Sequence, residues 1–423
     1  MRTTLCLCAA LVVLTACGAT DTEPGVTIDR IVALSDGDHL ASTYVDGILA
    51  PEANRDLLST LRIENGHVTA EQIEVPNSVT SAPEVLALSP DGTTAFVTER
   101  LGRRQPGDTR AQQLPPGDRL FAVDLAQPQR ITATATIAHY PEALAVSPDG
   151  TRIAVVSNTA EASYLQLIPW SSTGFGAPRV FDLATLGITG HAAGPRGGVL
   201  ATNVQWHPGG RALAVNITTQ DRVAFFTVED TVRPWGAPVT TGRDPFVGRF
   251  TPDGRHYITS DWGRDLTTGN LAERLPATPS KLSVIRLAEG TTGHHVTATA
   301  ESDRSAEGLA VNPAGDRVAT INMRGTAFPP DVPGYDEQGS VSLFRLDPAT
   351  GALTELGDYP LDGVLPEGGT FDPTGRYFLA SVYQGRTPTS PGSGIQIYRV
   401  TADRLVPALR VPLPHGVHQV VSN

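Results

Sequence analysis

Four glutamates recur at one place in a repeated pattern. Glu84, Glu142, Glu307 and Glu367 each stand five residues ahead of a turn-forming residue: Ser89, Ser147, Asn312 and Asp372. Thr202 and Phe246 hold the same place ahead of His207 and Thr251, and Arg30 holds it ahead of Ser35. Carboxylates gathered in one place repel and raise each other's pKa unless a cation, an arginine or water intervenes. Such a group could bind a cation or a polyhydroxyl ligand. With a histidine, it could also run acid–base hydrolysis while an arginine polarises a carbonyl. Glu142, Glu307, Glu367 and His415 are the catalytic candidates. Arg30, Glu84, Arg100, Arg264 and Arg324 are the charged binding candidates, and Arg249 is a further counter-charge. Asn158, Asp261, Asn322 and Tyr383 join the binding candidates because each closes the second strand of its repeat. The same glutamates could instead accept backbone N–H bonds where their strands begin, since a repeated residue is first a feature of the repeat. Hard oxygen ligands would suit Ca2+ or Mg2+. No compact Asp-rich calcium loop accompanies them, and no resident cofactor is expected.

The elements that must position these residues are short strands. An apolar stretch, a Pro-Asp-Gly-like turn and a second apolar stretch recur at residues 86–98 (LALSPDGTTAFVT) and 144–157 (LAVSPDGTRIAVVS). Weaker copies occupy 204–216, 248–260, 309–321 and 370–381, and a proline-free copy occupies 32–43 (VALSDGDHLAST). Proline presets φ, Asp favours a turn, and Gly takes the positive φ of a tight reversal. Two further strand candidates follow each copy, rich in Val, Ile, Leu and Thr. Seven copies of four strands predict an all-β chain, a seven-bladed β-propeller of four-stranded blades. Residues 417–422 (VHQVVS) read as one more first strand, and residues 26–34 compete for that place. In such a blade the Pro-Asp-Gly turns mark the bottom. The top then carries the glutamates and the long insertions 101–118, 263–280, 325–339 and 385–393. Long loops on one face of a rigid scaffold are where binding concentrates.

The net charge of −12 argues against nucleic acid or anionic lipid as a partner. The three cysteines, Cys6, Cys8 and Cys17, all lie near the N-terminus, so the rest of the chain has no disulfide or thiolate metal site. Arg2 and the apolar run 5–14 form a targeting signal too short to span a bilayer. Residues 14–17 (LTAC) resemble a bacterial lipobox, which implies acylation at Cys17. The expected organisation is a signal over 1–16, a lipidated tether over 17–25 and the propeller over 26–423. The expected setting is the cell envelope, facing periplasm or exterior, with membrane contact through the lipid alone. A monomer binding a small-molecule or protein ligand is expected. No Gly-x-Ser-x-Gly, His-Glu-x-x-His, Gly-x-Gly-x-x-Gly or P-loop pattern occurs.

Residues 340–356 (SVSLFRLDPATGALTEL), 394–400 (GIQIYRV) and 61–68 (LRIENGHV) carry a family resemblance. With the Pro-Asp-Gly-Arg turns they resemble the lactonase-like, YVTN-type seven-bladed propellers related to 6-phosphogluconolactonase and carboxymuconate cyclase. The turns also resemble those of TolB-like propellers, but no separate N-terminal α/β domain precedes the blades. The lactonase resemblance implies lactone or ester hydrolysis. Members often start an inner strand with Pro-Arg-His or Pro-Arg, where this chain has Pro83-Glu84, Pro141-Glu142 and Pro366-Glu367. That departure favours ligand binding over catalysis.

Overall fold

The computed structural model describes residues 25–51, 54–78, 84–190, 199–268, 270–288, 293–387 and 392–423. The expected signal, the lipobox and nearly all of the tether lie outside them. The chain folds into seven antiparallel sheets of four-stranded plan, with helix limited to short pieces such as Thr43–Asp46. No helix among the described residues is long and apolar enough to cross a membrane.

Counted from the axis outward, blade 2 is Leu86–Leu88, Thr94–Leu101, Pro116–Asp124 and Arg130–Thr136. Blade 3 begins Pro141–Val146 and Arg152–Asn158, blade 4 Ala201–Trp206 and Ala212–Ile217, and blade 5 Pro245–Phe250 and His256–Asp261. Blade 6 begins Ala306–Val311 and Arg317–Asn322, and blade 7 Gly369–Phe371 and Tyr377–Val382. Second strands are mostly buried, as in Ala212–Ile217, while outer strands such as His295–Glu301 alternate between exposed and half-buried residues. Each sheet hides its faces against the next. Val156 and Leu165 of blade 3, for example, share a core with Trp206, Val215 and Phe226 of blade 4. Full burial of such an aliphatic side chain stabilises by roughly 1.5–3 kcal/mol.

Both competing terminal segments serve in blade 1. Val417–Ser422 is its innermost strand and Ile28–Ser35 its second, followed by Leu57–Glu64 and His67–Glu74. This corrects the reading of residues 32–43 as a strand–turn–strand copy. The stretch Asp36-Gly37-Asp38 follows a second strand, so it lies at the top rather than forming a bottom turn. Asp36 holds it by accepting from the backbone N–H groups of Asp38 (2.9 Å) and His39 (3.2 Å).

One backbone device recurs where inner strands begin. Glu142, Thr202, Phe246 and Glu307 are each the extra residue of a register shift, as where Pro141 pairs with Ser157 but Ala143 with Val156. Two residues before each bulge the chain takes positive φ, at Tyr140, Leu200, Asp244 and Ser305. Leu365 and Gly416 do the same ahead of Glu367 and His418. A non-glycine residue there costs roughly 1 kcal/mol or more. The bulge bends the strand and re-aims the side chain it carries. At Gly416 no side chain fits, because a Cβ would lie 2.1 Å from the Asp36 carbonyl oxygen.

Candidate functional site

The position that is bulged in blades 1, 3, 4, 5 and 6 gives each blade one residue at the top of its inner strand. The seven are His418, Glu84, Glu142, Thr202, Phe246, Glu307 and Glu367. His418 takes the place expected of Arg30, because blade 1 draws its inner strand from the C-terminal segment. Arg30 lies at the opposite end, where its guanidinium donates to the Gly92 carbonyl in a bottom turn.

The four glutamates meet different fates. Glu142 and Arg100 form a bidentate pair (3.1 and 3.0 Å), each side chain 2% exposed. Glu84 of blade 2 receives Arg249 Nη2 of blade 5 at 2.7 and 2.9 Å. That pair borders a central channel of about 370 Å3 lined by the inner strands of all seven blades. Glu307 is fully buried, neither carboxylate oxygen has a hydrogen-bond partner among the described residues, and burial pushes its pKa up to about 8. Glu367 is buried beside it and is also pushed up, first by burial and then by Glu307 and Asp36.

His418 is fully buried, with Nε2 2.9 Å from Asn77 Oδ1. Asn77 spends its amide donors on the carbonyls of Val75 and Ser35, so its oxygen accepts and His418 Nε2 carries the proton. Burial pushes this imidazole down to about 4. Nearby, His39 Nδ1 stands 2.8 Å from Asp36 Oδ2. Burial opposes charge on His39, but Asp36, Asp38 and Asp56 together outweigh it and the net shift is upward. Asp56 accepts from the backbone of Gly37, Asn77 and Ser78, yet burial and then Asp36 raise it to about 7. Among the described residues no three His, Cys, Asp or Glu side chains come together as a metal site.

Most other candidates act as clamps. Asn158 bonds both backbone groups of Ala201 at 2.9 Å, tying blade 3 to blade 4. Asp261 accepts from Gly242 N and Ser283 Oγ, Asn322 donates to Ser340 and Ser342, and Arg324 pairs with Asp336 at 2.8 Å. Tyr383 donates to the His39 carbonyl at 3.3 Å. His415 Nδ1 lies 3.0 Å from the Asp36 carbonyl. It forms no hydrogen bond with a glutamate or arginine side chain among the described residues.

Arg100 and Arg264 do meet, in the wall of a top-face cavity of about 500 Å3. The insertions expected on that face build much of it: Leu101, Ala111 and Leu114 from the first, Arg274 and Leu275 from the second, and Phe328 from the third. Tyr44 comes from the short helix Thr43–Asp46 that follows Asp36-Gly37-Asp38. Arg264 is held by Asp244 (2.7 and 3.2 Å), with its guanidinium carbon 3.8 Å from the Trp262 ring centroid and 4.8 Å from that of Phe246. Burial raises the Tyr44 phenol to about 12, so it stays protonated. Arg274 and Phe328 were not legible as site residues because insertions lack the repeat register, and Tyr44 and Trp262 because they fall just beyond second strands, outside the repeated pattern. One signal was available for Trp262: it directly follows Asp261, which closes a second strand.

No family model and no curated protein sequence matches the chain. Similarity appears in solved structures, and at these identities it concerns the fold. A candidate 6-phosphogluconolactonase from Bacteroides uniformis aligns with TM-score 0.63 and 15% identity, covering 93% of this chain and 99% of that one. A functionally unknown protein from Desulfotomaculum acetoxidans aligns with TM-score 0.62 and 11% identity, covering 93% and 98%. The periplasmic gluconolactonase of Pseudomonas aeruginosa aligns with TM-score 0.61 and 17% identity, covering 92% and 98%, so the chain shares its architecture with gluconolactonase-like propellers.

Proposed function

We propose that this chain is a lactonase-like propeller of the cell envelope that binds a small molecule in its top-face cavity. One observation carries the reading: the ring carboxylates are withdrawn from that cavity, while its wall is aromatic and cationic. Glu142 and Glu84 are neutralised by arginines, and neither Glu307 nor Glu367 is among the cavity-lining side chains. The volume, about 500 Å3, lies in the usual range for a small-molecule site. Thermal unfolding against a metabolite panel is the direct test. A hit whose stabilisation survives Trp262→Ala would place binding elsewhere.

The runner-up is lactone hydrolysis, supported by the descriptions of the candidate 6-phosphogluconolactonase and the gluconolactonase with which this fold aligns. Turnover of any lactone by purified protein lacking residues 1–17, abolished in Glu367→Gln, would replace binding with catalysis. Envelope tethering rests on the apolar run 5–14 and the following Cys17. Cys17→Ser should move the protein from the membrane fraction to the soluble one, and unchanged fractionation would remove the anchor from the proposal.

A further inference from the structure

The top cavity contains three arginines, and they are not equivalent. Arg100 is committed to Glu142 and Arg264 to Asp244. Arg274 closes the short helix Leu271–Arg274, is half-buried, and lines the same cavity. Its one hydrogen bond among the described residues runs from Nε to the Thr268 carbonyl at 2.8 Å. The neighbouring Glu273 is occupied by Thr268 and Asn270. Among the described residues, no carboxylate meets either terminal nitrogen of Arg274. Asp46, the acidic residue in the lining, is exposed and accepts from Ile48 N.

The rest of the wall suits a flat apolar body. Tyr44, Tyr140, Phe246, Trp262 and Phe328 all line it. Arg264, neutralised by Asp244 and stacked on Trp262, extends that surface as a planar group. An aromatic ring gains by stacking on such faces. A guanidinium with unused donors prefers a carboxylate, which it can take through two parallel bonds.

We infer that the cavity selects ring-bearing carboxylic acids, the ring lying against the aromatic wall and the carboxylate meeting Arg274. This rests on the reading of the cavity as the ligand site. Titration calorimetry with 2-naphthoate, 2-naphthamide and hexanoate tests it. Wild-type protein should bind 2-naphthoate roughly tenfold more tightly than the amide, the size of effect a charge-assisted bond supplies. Hexanoate, with a carboxylate and no ring, should bind more weakly than 2-naphthoate. Arg274→Gln should erase the gap between acid and amide. Equal binding of acid and amide by the wild type, or an undiminished gap in Arg274→Gln, overturns the acid specificity and leaves the cavity reading standing. Failure of all three probes to bind folded protein overturns both.

Discussion

Glu142 and Glu307 occupy equivalent places in blades 3 and 6. Both are the extra residue of a bulge, both follow a positive-φ residue by two positions, and both are buried. Glu142 meets Arg100 and is held as an ion pair, whereas Glu307 meets no donor among the described residues and is pushed up to about 8, so it holds its proton at neutral pH. The repeat determines where the carboxyl group stands. What it does there is set by the neighbouring blade, since Arg100 comes from the end of a second strand in blade 2. Equivalent positions in a propeller are therefore poor guides to equivalent chemistry.

Removing the cation should break the contrast most strongly. Arg100→Met removes the bidentate partner of a buried carboxylate, and denaturant unfolding should register a loss of about 3–5 kcal/mol. The double variant Arg100→Met, Glu142→Leu should recover most of it, because two well-packed apolar groups avoid the desolvation of a lone charge. A double variant as unstable as the single one would show that the pair is not the source.

Glu307 should respond to pH instead. A carboxyl whose folded pKa is raised holds its proton longer when folded. Its stabilising contribution is thus full below about 4.5 and is lost as pH rises through about 8. Glu307→Gln should flatten the fall in stability across that window and be the more stable protein at its upper end. Parallel curves for the two proteins would contradict the burial argument.

His418 supplies the opposite arm. Its depressed pKa, about 4 against an ordinary 6.5, gives a contribution present above 6.5 and lost as pH falls towards 4. In His418→Gln the loss on the acid side should be shallower. The smallest effect belongs to Glu84, whose pair with Arg249 is partly solvated, the side chains being 10% and 24% exposed. Glu84→Gln should cost about 1 kcal/mol, and a loss as large as that of Arg100→Met would mean that the channel pair is as dry as the Glu142 pair.

Much of this was legible in the sequence. The Ser-Pro-Asp-Gly turns located the bottom because their chemistry is local: Ser147 donates to Asp149 at 2.6 Å, and Gly150 takes the positive φ. The glutamate register was legible for the same reason. Blade 1 was misread because its inner strand lies almost 400 residues away in sequence, and Asp36-Gly37-Asp38 imitates a hairpin turn while lying at the other face. Arg100 and Arg249 were recognisable as counter-charges. Their assignment to Glu142 and Glu84 depends on ring geometry that no local pattern encodes. The aromatic wall was hidden for a related reason, since Tyr44, Tyr140, Phe246, Trp262 and Phe328 come from several different blades and only ring closure brings them together.

Among the described residues, the ladder between Val417–Ser422 and Ile28–Ser35 is the strand pairing that joins the first strand in the sequence to the last. A molecule in which it has not formed bares the edge of Ile28–Ser35, whose last five residues are buried in the closed ring. An open edge of that kind is a template for any matching strand. The nearest match is Val417–Ser422 of another copy, so crowded refolding should favour strand-exchanged dimers over monomers.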